Sequence, residues 1–246
     1  MTIRQFLSNP MGKGSAAGYS RKNAITDLKR RYADLMKKAR RHWKLSVFTE
    51  KDSYYFVFKV PSETYYEQGL EYDVVIQFVP IGNSKNNQTL NNYAIKLFSN
   101  APNFMFTYAY LYNQDDIIID CLKSKLSERS LTEKPDVRNP NLSYGFEKSV
   151  YFALTYIIEH GFTKKNSLRL ISFNTDRLKR SIKDADTKLA EYNKYHKKVV
   201  DKNKAKRAKA KKKEETKQKV MKVIRFGKNP TENPYKYSTV KKKKKE

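Results

Sequence analysis

Residues 53–60 (SYYFVFKV), 72–79 (YDVVIQFV), 93–98 (YAIKLF) and 104–112 (FMFTYAYLY) decide the fold. Each run is short, dense in aromatic and β-branched side chains, and bounded by the breakers Pro61, Gly69, Pro80, Gly82 and Pro102. Such residues suit a pleated, half-buried surface, and runs of this length between breakers read as strands. The connections, such as residues 82–92 (GNSKNNQTLNN), are polar and short. Short connections join antiparallel neighbours, so the expectation is an antiparallel sheet of four or five strands, with residues 45–48 as an extra edge strand.

Outward from the sheet the apolar spacing turns helical. Upstream, Ile25, Leu28, Tyr32, Leu35, Ala39 and His42/Trp43 recur every three or four positions behind Asn23, a candidate N-cap. Residues 1–19, with Pro10, Gly12, Gly14, Ser15 and Gly18, read as a loop. Downstream, Ile117, Ile118, Cys121, Leu122 and Leu126 mark a short helix, and Phe146, Val150, Ala153, Leu154, Ile157 and Ile158 a longer one ended by Gly161. Leu178, Ile182, Ala185, Leu189, Tyr192, His196 and Val199 then alternate steps of four and three. That is the spacing of a helix packed along another helix, either the N-terminal one or one from a second copy. The fold class is α+β: an N-terminal helix, the antiparallel sheet, C-terminal helices and a long basic tail.

Charge divides the chain in the same places. The 246 residues hold 52 Lys+Arg against 25 Asp+Glu, a formal charge of +27. Residues 1–44 carry 12 cations and 2 acids, residues 45–176 carry 13 and 15, and residues 177–246 carry 27 and 8. The organisation read from this is a basic N-terminal arm and helix (1–44), an α+β core (45–173), an amphipathic helix (174–200) and a basic tail (201–246) that encloses an apolar island (220–237). A surplus confined to the two ends describes a polyanionic partner rather than a fold, and nucleic acid is the first candidate, with DNA favoured over RNA.

The candidate contacts in the first arm are Arg21, Lys22, Lys29, Arg30, Arg31, Lys37, Lys38, Arg40 and Arg41, which crowd the polar side of its helix. In the tail they are Lys202, Lys204, Lys206, Arg207, Lys209, Lys211, Lys212 and Lys213, then Lys241, Lys242, Lys243, Lys244 and Lys245. Dense Lys and Arg displace counterions from phosphates, a driving force indifferent to sequence. Residues 202–219 (KNKAKRAKAKKKEETKQK) have no apolar stripe, so they are expected to be disordered or a solvated helical extension. The island interrupts this polycation. Bare phosphate binding gains nothing from exposed apolar groups, so Val223, Ile224, Phe226, Tyr235 and Tyr237 are candidate anchors to a partner or to the core.

Catalytic chemistry finds little to stand on. Gly12-Lys13-Gly14-Ser15 lacks the earlier glycine and preceding strand of a phosphate loop. His42, His160, His196 and Cys121 are too scattered to hold a metal. Cys121, beside Asp120 and an apolar run, reads as an inert buried thiol, and as the sole cysteine it excludes an intramolecular disulfide. Asp115, Asp116 and Asp120 could chelate magnesium, but Asp115 and Asp116 also sit where the first turn of a helix favours anions, which is the better reading. Tyr54, Tyr55, Tyr65, Tyr66, Tyr108, Tyr110 and Tyr112 have no interleaved cations, so core filling outweighs base stacking. The expectation is a non-enzymatic protein without metal or cofactor. No apolar run has signal-peptide or membrane-spanning length, so neither secretion nor a membrane partner is expected.

Residues 4–16 (RQFLSNPMGKGSA), 97–112 (LFSNAPNFMFTYAYLY) and 134–157 (KPDVRNPNLSYGFEKSVYFALTYI) resemble segments of small basic proteins of tailed bacteriophages. The resemblance implies a structural component of a virion or a phage DNA-handling protein, located in the virion or host cytoplasm, and supplies no catalytic residue. The order helix, four strands, helices, with Cys121 after the fourth strand, also resembles the ubiquitin-conjugating fold. That family's His-Pro-Asn signature is missing, which implies a non-catalytic relative. The alternative to nucleic-acid binding is an assembly or scaffold protein whose tail clasps neighbouring protein subunits.

Overall fold

The computed structural model describes residues 1–8, 21–136, 139, 142 and 147–225, without the side chains at 21–24, 211, 212 and 218–225. Its elements in chain order are α1 (Ile3–Ser8), α2 (Arg21–Ala39), β1 (Lys44–Glu50), β2 (Ser53–Pro61), β3 (Glu71–Val79), β4 (Ala94–Ser99), α3 (Pro102–Thr107), α4 (Ala109–Gln114), α5 (Glu128–Thr132), α6 (Lys148–Glu159), β5 (Leu170–Ser172), α7 (Thr175–Ser181) and α8 (Ala185–Arg225), with short 3-10 turns between them. Two compact units result, Met1–Tyr195 and His196–Glu246.

The class is α+β, built on a five-stranded mixed sheet of order β4-β3-β2-β1-β5. The first four strands form the expected antiparallel meander, and Val57 pairs with Val75 at its centre. The fifth strand departs from expectation: Val47–Thr49 of β1 pairs in parallel with β5, through Phe48 opposite Ile171. The β1 strand is therefore flanked on both sides and is not an edge. A three-residue strand carries too little alternation to be seen in sequence.

Side chains alternate across the sheet. Phe58, Phe56, Val74, Ile76 and Phe78, all fully buried, share the face covered by α2 and α6, where Trp43 and Tyr156 meet Phe58 edge-on. The opposite face carries Tyr55 stacked on Phe173, and the facing pair Lys59 and Asp73. Helix α6 is buried almost all round, through Val150, Tyr151, Phe152, Ala153, Leu154 and Ile157. Val150, Phe152, Leu154 and Ile157 each contribute about 1.5–3 kcal/mol on removal from water. It ends as expected, with His160 as C-cap and Gly161 at φ +70, the left-handed turn that glycine takes without strain.

Four expectations are overturned. Residues 104–112 are two helices and no strand. Pro102 opens α3 at its first turn, and burial follows Phe104, Met105, Tyr108, Leu111 and Tyr112 while Phe106 stays 46% exposed. A nine-residue run that is apolar or aromatic apart from Thr107 does not distinguish a strand from a buried helix. Residues 117–126 are not one helix: Ile117–Ile119 is extended along β4, with Leu97 N–H donating to Ile117 O and Ile119 N–H to Leu97 O, before a 3-10 turn at Asp120–Lys125. Residues 1–19 are not all loop, because Ile3 and Phe6 of α1 are buried and Met1 O accepts from Ile95 N–H. Asn23 is no cap, since α2 already begins at Arg21.

The long heptad-like stripe is broken as well. Leu178, Ile182 and Ala185 are buried, yet α7 ends at Ser181 and α8 starts at Ala185. The sheet supplies the reason. Asp73, fully buried, accepts from Lys183 N–H at 2.9 Å, Asn100 Nδ2 donates to Lys183 O at 3.0 Å, and Lys59 Nζ donates to Ser181 O at 2.6 Å. These bonds satisfy backbone groups that a continuous helix would otherwise pair internally. Leu189 and Tyr192 then pack on the core, where Tyr65 meets Tyr192 edge-on at 5.6 Å, so the stripe rests on this chain's own core up to Tyr195.

Candidate nucleic-acid interface

The basic surface of the first unit lies on α2 and the turn after it. Lys29, Lys37, Lys38, Arg40 and Arg41 are exposed, and the last four have no acidic partner among the described residues. Arg30 pairs with Asp27 on the surface, a solvent-screened contact easily exchanged for a phosphate. Arg31 differs from the outward cation expected of it. Its guanidinium donates to both oxygens of Glu63 at 2.8 and 2.7 Å, and Glu63 also meets Lys148. Burial pushes the Glu63 carboxyl up, but the bonds from Arg31 and Lys148 outweigh it and hold the group below its ordinary range. Arg31 therefore braces α2 against the β2–β3 connection and the start of α6. Arg21 and Lys22 lie in the first turn of α2.

The basic surface of the second unit is helical. Lys202, Lys204, Lys206, Arg207, Lys209 and Lys213 are exposed on α8 and make no ion pair among the described residues. Lys211 and Lys212 belong to the same helix. Of the two expectations for residues 202–219, the helical extension is the one observed. Eight of the twelve residues 202–213 are Lys or Arg and none is acidic. At about 100° per residue these positions point to every side of the helix. Val223 and Ile224 fall in its last turn, whereas Phe226, Tyr235, Tyr237 and Lys241, Lys242, Lys243, Lys244 and Lys245 lie outside the described residues.

A ring stack unseen in the sequence lies next to the first basic surface. Tyr156 and His160 sit one turn apart at the end of α6, with centroids 3.9 Å apart and planes within 16°, while Trp43 stacks on Tyr156 at 5.2 Å and 7°. The spacing of Tyr156 and His160 was a visible signal, but nothing in the sequence brings Trp43 to them. Of the seven tyrosines considered for stacking, Tyr55, Tyr65, Tyr108 and Tyr112 are buried in the core, whereas Tyr54, Tyr66 and Tyr110 are only half-buried.

Asp116 and Asp120 both accept from Lys96 Nζ at 2.9 Å, and no group of three metal-ligating side chains exists among the described residues. Asp115 caps the end of α4 rather than opening a helix, because Ile117–Ile119 is extended. Cys121 is half-buried, and burial pushes its thiol up, away from reactivity. Two cavities flank Phe106. One of about 450 Å³ is bordered by Tyr110, Arg129 and Glu133, the other of about 350 Å³ by Tyr72, Glu147 and Tyr192. Burial raises the Glu147 carboxyl, which is engaged in capping α6 by accepting from Val150 N–H at 2.9 Å and from Ser149 Oγ. Among the described residues no helix is long and apolar enough to cross a membrane. The chain matches no family model, no curated protein and no solved structure.

Proposed function

We propose that this protein binds nucleic acid without reading its sequence, with DNA favoured over RNA, as a structural component of a phage virion or nucleoprotein assembly. The observation that carries the reading is residues 202–213, eight exposed or helix-borne cations without one acid. Twelve helical residues span about 18 Å. Their charge spacing of about 2 Å is close to that of the duplex itself, about one phosphate per 1.7 Å. Cations on all sides of a helix neutralise phosphates but define no face for reading base edges. No catalytic step belongs to this reading. The virion setting rests on the phage resemblance, and capsid, portal and tail genes beside this one would support it.

The test is a salt titration on two unrelated duplexes of equal length. If about six to ten phosphates are engaged, affinity falls by about three to five orders of magnitude between 50 and 200 mM salt, equally for both sequences. Salt-independent binding, or strong preference for one sequence, overturns the reading.

A further inference from the structure

The turn Arg40–His42 delivers Trp43 to the end of α6, its own backbone held by Trp43 N–H donating to Arg40 O. Trp43, Tyr156 and His160 then form a run of near-parallel rings, half-buried at Trp43 and Tyr156 and exposed at His160. His160 is not free to swing, because its Nδ1 lies 3.0 Å from Tyr156 O, and Phe162 lies within 16° of its plane at 6.0 Å. The exposed end of the stack is therefore a fixed flat ring. Within three residues of Trp43 in the chain stand Arg40 and Arg41, and one helical turn earlier Lys37 and Lys38, all exposed and without acidic partners among the described residues. A fixed, exposed ring at one end of the stack, with exposed cations preceding Trp43 in the chain at the other, offers the two kinds of group that meet a base and its backbone phosphates.

We propose that the stack Trp43–Tyr156–His160, whose Trp43 follows Lys37, Lys38, Arg40 and Arg41 in the chain, is a stacking site for unpaired bases of single-stranded nucleic acid. This rests on the nucleic-acid reading above and adds a second mode to it. The helix α8 engages phosphates of any form, whereas only an unpaired base offers a face to His160, since duplex bases are already stacked on each other. Stacking is tolerant of sequence because every base has such a face. A core-packing role alone does not call for the exposure of His160 at the end of the stack.

The experiment uses the full chain with a labelled oligothymidylate about 16 nucleotides long and a duplex of matching length. It is run at about 50 mM salt, where both ligands are expected to bind, so that a loss confined to the single strand can be read against the duplex. His160→Ala is expected to weaken single-strand binding about five- to a hundredfold, the range found when stacking rings are truncated, and to leave duplex binding unchanged. His160→Phe, which keeps a flat ring, retains single-strand affinity and serves as the control for folding. Equal losses on both ligands, or no loss on the single strand, overturn the stacking site while leaving sequence-independent binding intact. Absence of binding to either ligand by the unaltered protein at about 50 mM salt overturns both.

Discussion

Replacing Lys202, Lys204, Lys206, Arg207, Lys209, Lys211, Lys212 and Lys213 together by glutamine tests the role of α8 with its backbone preserved. Glutamine has nearly the helix propensity of lysine and arginine. The change also removes the like-charged pairs Lys202/Lys206, Arg207/Lys211 and Lys209/Lys213 one turn apart, relieving about 1 kcal/mol of repulsion. Loss of binding therefore cannot come from loss of helix, which circular dichroism checks. A helix with cations on every side turns about half of them to a duplex, so about four phosphates lose their partner, and each contributes about 0.9 to the slope of log affinity against log salt. The slope is expected to shrink by about 3 to 4. Over the fourfold rise from about 50 to 200 mM this removes about two orders of magnitude of salt sensitivity. Fluorescence anisotropy across that range, on the altered and unaltered proteins, measures it. An unchanged slope refutes the assignment of α8 as a phosphate-binding element.

Three further outcomes follow from the same contacts. Truncation after Val200 should leave a protein that melts cooperatively and within about 1 kcal/mol of the full chain, because the described side chains of 201–217 are exposed; a non-cooperative melt contradicts the division into units. Glu147 has a raised folded carboxyl pKa, so its contribution is fully present below the unfolded value near 4.5 and is lost as pH rises through the folded one. Glu147→Gln should keep the cap and flatten that part of the pH–stability curve, and a slope unchanged above the unfolded value near 4.5 counts against the buried-acid account. Cys121 should react with a disulfide reagent near neutral pH more slowly than a free peptide thiol, and faster reaction is incompatible with its burial and raised pKa.

The meander was legible because residues 53–60 and 72–79 are bounded by breakers and their alternating faces are filled from both sides. Helix α6 was legible from its stripe and Gly161. What escaped was set by tertiary contact. Residues 104–112 and 117–126 are apolar enough to be buried in either conformation, and their choice depends on Pro102 and on pairing with Leu97. The break at 182–184 comes from Asp73, 110 positions away from Lys183 in sequence. At the candidate site, charge density on α8 was plain in composition. The commitment of Arg31 to Glu63 and the meeting of Trp43 with Tyr156 both needed the fold.

Asp73 joins the fold to the proposed function. It lies fully buried on β3, pairs with Lys59, accepts from Asn100 Nδ2 at 2.8 Å and from Lys183 N–H at 2.9 Å, and so fixes the turn from which α8 starts. A buried carboxylate is costly unless every lone pair is used, and here cation, amide and backbone all converge on it. Its removal leaves Lys59 half-buried without its carboxylate partner and strips Lys183 N–H of its acceptor. Asp73→Ala is therefore expected to cost about 3–5 kcal/mol. Asp73→Asn should cost less, since an amide oxygen still accepts from Lys183 N–H although the charge that holds Lys59 is gone. The order matters more than the values. If alanine and asparagine destabilise equally, the ion pair with Lys59 dominates; if asparagine is nearly silent, the backbone bond does, and Asp73 serves chiefly to interrupt the α7–α8 stripe and set where the basic helix begins. Urea melts of the two variants at pH 7, with the denaturant slope held constant, separate these cases. Equal stability of Asp73→Ala and the unaltered protein refutes any role for the clamp.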